Sequence, residues 1–407
     1  MAWFPRLFSR KSSSDSVYER FLDLLGQTRQ SKAGPEITRE SALRVSAAFA
    51  CMRVLSVGMA QLPLKLYQET TVDGRRSIQR ATTHPQYDLV STQPNAWQTS
   101  FEFIEQLTLH LSLGNAYVFK GMYRGHVAEM FLLNPACVRA TQDEDWAPHY
   151  IVTGKNGSQR EVPAENIWHL RGTSWDGFLG LDTLNLARDV LGLSIAVDDS
   201  ISGLHRNGVR PAGAYAVEGA LQGDQYEKLA KWLKKQASGD MAGAPLILDR
   251  SAKWLSTAMT SVDAQTREIR QDVIPDVCRF FGVLPIMIGY TGDKATTYAS
   301  AEAMFAAHRV HTIDPLARRI QLSADVNLLT QRERQSGLYH KFVMHALLNA
   351  SAKDQAEYFS RALGAGGSPA WMAQDEVREL LELNPMGGAA AVLPPMPTAS
   401  APTPPSP

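Results

Sequence analysis

The sequence contains one serine in a setting that could support nucleophilic catalysis. Ser174 lies within the stretch Gly172 to Gly177, which has the form of a nucleophile elbow. That elbow requires the pattern G-x-S-x-G, and Asp176 occupies the position of its second glycine. A cytosolic hydrolase built on the segment 115–180 is therefore an alternative whose nucleophile motif is incomplete.

A phosphate-binding loop and a metal site are each suggested by a short pattern that lacks a second requirement. The triplet Gly292 to Lys294 matches the end of a phosphate loop, but Ala295 replaces the required Ser or Thr and Met287 occupies the upstream glycine position. His308 and His311 are spaced to share a helix face, yet no HExxH pattern surrounds them. The sequence predicts no enzyme activity, no cofactor and no metal ion.

The three cysteines, Cys51, Cys137 and Cys278, are far apart along the chain. Their spacing provides neither a disulfide framework nor a CxxC metal clip. Free cysteines are among the most buried residue types, so we expect buried, reduced thiols.

Composition and charge describe a globular protein without a strong preference for nucleic acid. The chain has 407 residues, 44% hydrophobic and 20% charged, which favours more than one packed unit. Its 41 Lys plus Arg balance 41 Asp plus Glu, which argues against a protein that grips nucleic acid over its whole surface. Transient contact with DNA at small patches stays open. No apolar run reaches the roughly 18 residues of a membrane span, so we expect no membrane contact.

Three acidic residues repeat along one predicted helix at positions i, i+4 and i+8: Glu268, Asp272 and Asp276. Like charges at this spacing destabilise an isolated helix by about 0.2–0.5 kcal/mol per pair. The row must therefore be supported by other groups or used for a function.

Apolar periodicity and turn residues predict the elements that would position these residues. Helices are predicted over 42–59, 101–113, 181–206, 224–237, 262–281, 301–329, 354–363 and 375–383. Strands are predicted over 64–67, 116–123, 127–133, 138–141, 150–152, 167–170, 246–248, 253–256 and 342–344. The fold class is α+β.

Particular residues are expected to shape these elements. Ser41 is expected to cap the first helix, and Asp73-Gly74 to form a hairpin turn. Pro275 is expected to kink or restart its helix, and Pro315 to divide the helix over 301–329 into two arms with a bend. At 1.5 Å per residue the helix over 181–206 would span roughly 40 Å, which a compact lobe rarely needs.

The two ends of the chain are expected to be loosely held. The first forty residues are mostly polar, and the last twenty contain seven prolines and no charge. Such segments have too little apolar surface to bury, so we expect a flexible arm and a disordered, proline-rich tail.

Several blocks, in this order, resemble the portal proteins of tailed bacteriophages, specifically the Hong Kong 97-type portal family. The similarity is collinear from about residue 40 to 385, although the chain has Leu284-Pro285 where the family more often has two prolines. The blocks that carry the resemblance lie at 46–56, 62–67, 84–85, 93–95, 98–103, 114–117, 171–181, 207–213, 280–285, 289 and 297–302.

The resemblance implies a phage portal fold divided into the parts of a portal subunit. These are a flexible N-terminal arm (1–41), an α/β wing (42–180), stem helix 1 (181–207), a small α/β clip (208–261), stem helix 2 (262–282), a channel loop (283–300), a kinked helix and wing return (301–349), a helical crown (350–385) and a disordered tail (386–407).

The resemblance also implies a function. Portal proteins of this family form a ring, usually of twelve subunits, at one capsid vertex, and double-stranded DNA passes through it during packaging and ejection. The implied partners are other copies of the chain, the major capsid protein, the large terminase that hydrolyses ATP, and the head-completion or tail adaptor proteins. The implied location is the virion, with assembly in the host cytoplasm.

Within that function the acidic row has two interpretations. The acids could form stacked rings that line the channel and repel DNA phosphates, since lasting phosphate contacts add affinity through released counterions. Alternatively they pair with basic residues: Arg267, Arg270 or, from a neighbouring subunit, Arg188.

Two further groups are candidates for contacts with DNA and with partners. Asp293 and Lys294 lie in the channel loop, and Lys294 is either a DNA contact or a solvated lysine. In the clip, a basic helix would form the docking surface for terminase and adaptor, unless it is a solvated amphipathic helix with Trp232 packed inward. Its residues are Lys228, Lys231, Trp232, Lys234 and Lys235.

Overall fold

The structure is a computed structural model, and it describes most of the chain between residues 30 and 393. The described residues are 30–72, 75–206, 213–217, 227, 252–256, 260–292, 298–343, 352–365, 369–381 and 383–393.

Helices occur along the whole described chain. In order they are α1 (Arg39–Arg44), α2 (Ser46–Ala60), α3 (Pro85–Ser91), α4 (Ser100–Ser112), α5 (Thr183–Leu186), α6 (Arg188–Arg206), α7 (Thr260–Phe281), α8 (Tyr298–His308), α9 (Asp314–Leu328), α10 (Gln331–Gln335), α11 (Ala352–Ala362) and α12 (Gln374–Leu380).

The strands pair only in antiparallel fashion in the sheets that are described. They are β1 (Leu64–Val72), β2 (Arg75–Arg80), β3 (Asn115–Tyr123), β4 (His126–Leu133), β5 (Val138–Gln142), β6 (Pro148–Thr153), β7 (Gln159–Val162), β8 (Ile167–Arg171), β9 (Gly213–Val217), β10 (Ala252–Ser256) and β11 (Leu338–Phe342). The sheets have the orders β11-β1-β2, β10-β9, β4-β3-β8 and β5-β6-β7. This mixture of helices and antiparallel sheets confirms the predicted α+β class.

The chain forms two compact units, each assembled from separate stretches. One unit contains the residues up to Ala60 together with Gln93–Leu328. The other contains Gln61–Thr92 and the residues from Leu329 onward. The chain therefore leaves the first unit after α2, returns before α4, and leaves again after α9.

The helical core of the first unit is centred on α2. Cys51 of α2, Leu191 of α6 and Val277 of α7 have no solvent-exposed surface and belong to one cluster of buried side chains. Burying an aliphatic side chain of this size stabilises the folded state by about 1.5–3 kcal/mol. The cluster thus holds the two long helices α6 and α7 against α2.

A second contact of the first unit joins the sheet β4-β3-β8 to α9. The indole N–H of Trp168 donates to Ser323 Oγ at 2.8 Å, and Lys120 Nζ donates to the carbonyl oxygen of Asn327 at 2.9 Å. Burial lowers the pKa of Lys120. Its ammonium group lies at the C-terminal turn of α9, where helical carbonyls lack intrahelical partners and favour a cation.

The second unit is built on the sheet β11-β1-β2. Leu66, Leu329 and Leu338 form its buried apolar cluster. His84 Nε2 lies 2.9 Å from Glu333 Oε1, and the other carboxylate oxygen of Glu333 accepts the backbone N–H of Thr330 at 2.7 Å. One carboxylate therefore both caps α10 and ties α10 to the start of α3.

The prediction that Ser41 caps the first helix is wrong. Thr38 is the N-cap of α1, and its Oγ1 accepts the backbone N–H of Ser41 at 3.1 Å. Ser41 Oγ accepts the Thr38 N–H at 2.8 Å in return, which completes a capping box. Val45, in an extended conformation, separates α1 from α2, so the predicted single helix is two helices.

The predicted helix over 181–206 is also divided. Asp182 caps the short α5 by accepting the N–H groups of Leu184 and Asn185. Ala187, with φ −87° and ψ 2°, ends α5 before α6 begins at Arg188.

One of the two expectations for Pro275 is wrong, because α7 does not restart there and continues from Thr260 to Phe281. Val273 and Val277 on either side of the proline are buried in the core, and this packing offsets the hydrogen bond that proline cannot donate. The helix ahead of Pro315 is interrupted, but by a π-helical turn at Arg309–Ile313 rather than at the proline itself. A π turn is one way to accommodate a residue that lacks an N–H.

Some strands were not predicted because they lack apolar alternation. The edge strands β2 and β7, with the sequences RRSIQR and QREV, are mostly polar, and β9, GAYAV, is short and has no polar residue to alternate with the apolar ones. The last strand, β11, ends near where it was predicted to begin. The hairpin at Asp73-Gly74 agrees with the pairing of Val72 with Arg75, and the two turn residues lie outside the described residues. The helix predicted over 224–237, of which only Glu227 is described, and the strand over 246–248 also lie outside them.

Candidate functional site

The acidic row lies on the long helix α7, away from the core. Glu268 and Asp272 are exposed and Asp276 is half-buried. On the adjacent face of α7, Val273 and Val277 pack into the core of the first unit. The row therefore follows from amphipathicity, since a helix with one buried stripe leaves its charged positions to solvent.

Within the described chain, neither Arg270 nor Arg188, which were named as possible partners, contacts this row. Asp276 forms an ion pair with Arg279, one turn further along α7. Arg270 Nε instead lies 3.4 Å from Asp198 Oδ1 on α6. Arg188 donates to Asn185 Oδ1 at 2.9 Å. The side chain of Arg267 lies outside the described ones.

Glu268 and Asp272 consequently carry uncompensated negative charge within the described part of the chain, where no basic side chain lies within 4.0 Å of either. Both side chains are solvated, which reduces their mutual repulsion to the few tenths of a kcal/mol expected for exposed charges.

The segment that follows α7 has a defined start. Gly282, with φ +65°, ends α7: its N–H donates to the carbonyl of Arg279, and the N–H of Val283 donates to the carbonyl of Cys278 at 3.0 Å. This is a Schellman cap, in which glycine supplies the left-handed conformation. Thr312 Oγ1 donates to the carbonyl of Gly282 at 2.8 Å, so the π turn holds the end of α7.

The predicted channel loop over 283–300 is shorter and more ordered at its ends than expected. A 3-10 turn at Pro285–Ile288 closes on Gly289, which has φ +80°, and α8 already begins at Tyr298. The prediction of an irregular segment is therefore wrong for these two stretches, because Pro285 and Gly289 frame one tight turn.

Several predicted site residues cannot be placed. Asp293 and Lys294 of the channel loop lie outside the described residues, as do all the predicted docking residues of the clip: Lys228, Lys231, Trp232, Lys234 and Lys235. The strands β9 and β10 of the same region are described, and they pair with Trp254 opposite Tyr215.

The hydroxyl of Ser174, the candidate nucleophile named above, forms hydrogen bonds within its own loop. Its Oγ donates to Asp176 Oδ1 at 3.0 Å and accepts the Gly177 N–H at 2.9 Å. Asp176 Oδ1 also accepts the backbone N–H groups of Phe178 and Leu179. No histidine takes part in the described hydrogen bonds of Ser174. Ser174 and Asp176 therefore stabilise the turn before α5, and they do not form a nucleophile with its base.

A buried polar network joins the sheet β4-β3-β8 to strand β6. His169 is 6% exposed, and its Nδ1 lies 3.3 Å from the hydroxyl of Tyr150. Burial, with a smaller contribution from Arg171, lowers the pKa of His169 to about 3. The imidazole is therefore neutral, and its ring stacks on Tyr117 with centroids 4.4 Å apart.

A cavity of about 310 Å³ opens between α1, α4 and α5. Met52, Leu109 and Leu184 contribute apolar lining, while Arg39 and His110 contribute polar lining. Burial, with the nearby charge of Arg39, lowers the pKa of His110 to about 4. Among the described residues that line this cavity there is no serine, cysteine or lysine, so it offers none of these nucleophiles.

Sequence reasoning missed exposed apolar side chains on α8 and α9, which together we call the apolar ridge. On α8, Met304 and Phe305 are 40% and 53% exposed. Leu322 and Val326 of α9 are 48% and 65% exposed. The signal was present in the α8 sequence, YASAEAMFAAH, which contains one acid and no lysine or arginine.

The described residues contain neither a membrane-spanning helix nor a cluster of metal ligands. No helix in these parts of the chain is both long and apolar enough to cross a membrane. Within the same residues, no group of three or more His, Cys, Asp or Glu side chains is arranged to hold a metal ion.

Comparison with known proteins gives consistent results for sequence and for fold. The portal protein of Enterobacteria phage HK97 is 24% identical over 336 residues, which cover 81% of this chain and 77% of that protein. An HK97 family phage portal protein from Corynebacterium diphtheriae has a similar fold, with a TM-score of 0.56 at 18% identity, covering 77% of this chain and 97% of that chain. A chain in the neck of the native GTA particle, computed with C12 symmetry, gives a TM-score of 0.55 at 21% identity, covering 91% of this chain and 100% of that one.

The model of the phage portal protein family matches residues 46–382. This match begins at the first residue of α2 and ends just beyond α12, so it includes both compact units. The chain therefore belongs to the phage portal protein family.

Proposed function

We propose that copies of this chain form a ring at one vertex of a viral capsid, through which double-stranded DNA is packaged and later ejected. The observation that carries this proposal is the family match over residues 46–382. The similarity to a chain from a particle neck with C12 symmetry supports a ring of about twelve subunits in the virion. Assembly takes place in the host cytoplasm, and the chain itself catalyses no reaction.

The apolar ridge supports self-association. A helix that is apolar around much of its circumference is normally buried, yet Ala303 to Ala306 of α8 are all exposed in the single chain. Large exposed apolar surfaces mark interaction sites. In the ring these residues pack against a neighbouring subunit, and their burial contributes to assembly.

The acidic row supports a channel that does not retain DNA. In a ring, Glu268, Asp272 and Asp276 of every subunit form stacked negative rings on the second stem helix, α7. Phosphates are repelled by such rings, and because no counterions are released there, DNA slides without lasting attachment. The ion pair with Arg279 partly neutralises Asp276 and so weakens its repulsion of DNA phosphates. Glu268 and Asp272 remain the main repelling charges.

The channel loop and the clip supply the remaining contacts. The loop narrows the channel, and Lys294 beside Asp293 touches the DNA there. The clip docks the large terminase during packaging and the tail adaptor afterwards, through the basic helix that carries Lys228, Lys231, Trp232, Lys234 and Lys235. The wing contacts the major capsid protein, and the terminase supplies ATP hydrolysis.

Imaging tests the ring. Negative-stain or cryo-electron microscopy of the purified full-length chain is expected to give rings with a central hole. A chain that remains monomeric by mass photometry at all accessible concentrations, and at low and high salt, would contradict the proposal.

The repelling role of the acidic row can be separated from a structural role. The triple substitution E268Q, D272Q and D276Q is expected to slow DNA passage through assembled rings and leave ring formation unchanged. A matched control is the neutralisation of three exposed acids that lie away from α7: E129Q, E144Q and D145N. Equal packaging rates in both triple variants would contradict the role of the row, and loss of rings in the first alone would assign it a structural role.

Two further experiments address the loop and the clip. A photo-cross-linker at position 294 is expected to form cross-links to DNA in full particles. The absence of any cross-link to DNA would contradict contact between Lys294 and DNA. Charge reversal at Lys231, Lys234 and Lys235 is expected to weaken binding of terminase and adaptor to intact rings. Unchanged binding of both partners would show that the docking surface does not include these lysines.

A further inference from the structure

Two of the three cysteines, far apart in the sequence, meet in the core of the first unit. The Sγ of Cys51 on α2 donates to the Sγ of Cys278 on α7 across 3.7 Å. Their side chains are 0% and 1% exposed, and both belong to the same buried cluster. The third cysteine, Cys137, is partly exposed and lies outside this cluster.

This placement brings two oxidisable sulfurs to the junction of two structural elements. Cys51 lies in the middle of α2, and Cys278 lies in the last turn of α7, where its carbonyl accepts the Schellman hydrogen bond from Val283. A bond between the sulfurs would need their separation to fall from 3.7 Å to about 2.05 Å, a change within the reach of small side-chain rotations.

We propose that Cys51 and Cys278 form a reversible intramolecular disulfide on oxidation by a peroxide, and that this bond locks the end of α7 to α2. The thiolate of Cys278 attacks hydrogen peroxide and gives a sulfenic acid and hydroxide. That hydroxide takes the proton of the Cys51 thiol and becomes water, and the Cys51 thiolate attacks the sulfenic sulfur, so that the S–S bond forms and a second hydroxide leaves. The second hydroxide takes the proton that Cys278 released on ionising. Overall, two thiols and one peroxide give one disulfide and two waters.

The hydrogen bond between the thiols favours this order of events. Donation from the Cys51 S–H lowers the pKa of Cys278, and the same interaction together with burial raises the pKa of Cys51. Cys278 is therefore the sulfur that ionises first and meets the peroxide, and Cys51 is the resolving cysteine, which loses its proton only as it attacks the sulfenic acid.

Burial determines when the reaction takes place. The two sulfurs are shielded in the folded chain, so oxidation requires a transient opening of the last turn of α7. A particle assembles in a reducing cytoplasm and is released into an oxidising medium. The disulfide would then form in the released particle and fix the base of the channel loop. Only this timing rests on the proposed function, since the chemistry can be tested on the purified chain whether or not it forms rings.

The test compares purified full-length protein kept in dithiothreitol with protein treated with hydrogen peroxide at a low molar excess. The count of free thiols after denaturation is expected to fall from three toward one per chain. Peptide mass spectrometry is expected to find residues 51 and 278 cross-linked, and dithiothreitol is expected to restore both thiols. The oxidised protein is expected to unfold roughly 5–10 °C higher, because a cross-link that closes a long loop restricts the unfolded chain.

Three variants complete the experiment. C137A keeps both members of the pair and is expected to form the cross-link and to show the same rise in Tm. C51A and C278A are expected to show neither the cross-link nor the rise. Three unreacted thiols in oxidised wild-type protein, sulfinic or sulfonic acid at Cys278 without a cross-link, or cross-links that involve only Cys137 would each overturn the proposal. These outcomes are read from the wild-type chain, so they hold even where a variant folds poorly.

Discussion

Asn115 holds the backbone of Gly180 by two hydrogen bonds, one in each direction. Its Nδ2 donates to the Gly180 carbonyl at 2.9 Å, and its Oδ1 accepts the Gly180 N–H at 2.8 Å. The same Oδ1 lies 2.9 Å from Nε2 of the neutral His169. One amide side chain at the start of β3 therefore positions the residue two places before the cap of α5, and with it the path into the long helix α6.

Replacement of Asn115 by alanine is expected to lower the free energy of unfolding by about 2–4 kcal/mol, because three polar groups at this junction lose their partner. Urea denaturation of the unassembled chain measures the change. Asn156 is a matched control, since its Oδ1 accepts the Ser158 N–H at 3.1 Å in an exposed turn. N156A is expected to cost about 1 kcal/mol or less. Equal effects of the two substitutions would contradict the role of Asn115.

Replacement of Gly180 by alanine is expected to prevent folding of the first unit. A Cβ at this position would lie 1.9 Å from the carbonyl oxygen of Gly114 and 3.0 Å from the backbone nitrogen of Gly172, and neither backbone atom can move aside cheaply. Soluble yield and near-ultraviolet circular dichroism report the loss. The control is G121A, whose Cβ would meet atoms of Glu129 no closer than 3.5 Å, which is ordinary van der Waals contact. Normal yield of G180A would show that this close approach is not required.

His169 is expected to make the protein less stable as the pH falls. Its pKa is about 3 in the folded chain and about 6.5 when unfolded. Between these values the unfolded state binds an extra proton, so stability decreases with falling pH by up to about 1.4 kcal/mol per pH unit from this residue. H169Q is expected to reduce the difference between urea midpoints at pH 7 and pH 5, although its absolute stability is lower.

The pH dependence of stability expected from His149 is opposite to that expected from His169. Hydrogen bonds to Glu161 and Asp143 raise its pKa, so its stabilising contribution is fully present below about pH 6.5 and is lost as the pH rises through the raised value. H149Q is therefore expected to lower stability at pH 5 and to leave it nearly unchanged at high pH. If H169Q and H149Q altered the pH dependence in the same direction, the assignment of these shifts would be wrong.

The apolar ridge predicts a specific assembly defect. F305E is expected to leave the fold of the chain intact, because this side chain is 53% exposed, and to reduce the fraction of subunits in rings. A buried, unpaired carboxylate at the subunit interface opposes association. Y123E changes another exposed aromatic residue, 64% exposed at the end of β3, and serves as the control in mass photometry. Ring abundance equal to wild type in F305E would place the interface elsewhere.

The sequence predicted best where a local signal decides the structure. The strands of the sheet β4-β3-β8 were placed to within a residue or two, because their short apolar runs are bounded by turn residues and are largely buried. The acidic row was found by spacing alone, and it lies on α7 with Glu268 and Asp272 exposed and Asp276 half-buried. Its role as a channel lining stays a prediction, as do the roles of Lys294 and the clip lysines.

The sequence failed where neighbouring elements decide. The end of α5 at Ala187 and the continuation of α7 through Pro275 both depend on packing that no local pattern contains. Val273 and Val277 are held by the same cluster as Cys51, which is more than two hundred residues away in sequence. A proline that would break an isolated helix is tolerated there because the surrounding burial outweighs the loss of one hydrogen bond.

The sequence by itself therefore determined the α+β class, the resemblance to portal proteins and the charged repeat on α7, since all three depend on residue types in linear order. Only the tertiary structure decided that Asn115 supports Gly180, that the apolar residues of α8 remain exposed, and that Cys51 meets Cys278. These are distances between residues that are remote along the chain, and such distances arise only when helices and sheets pack together to bury their apolar faces.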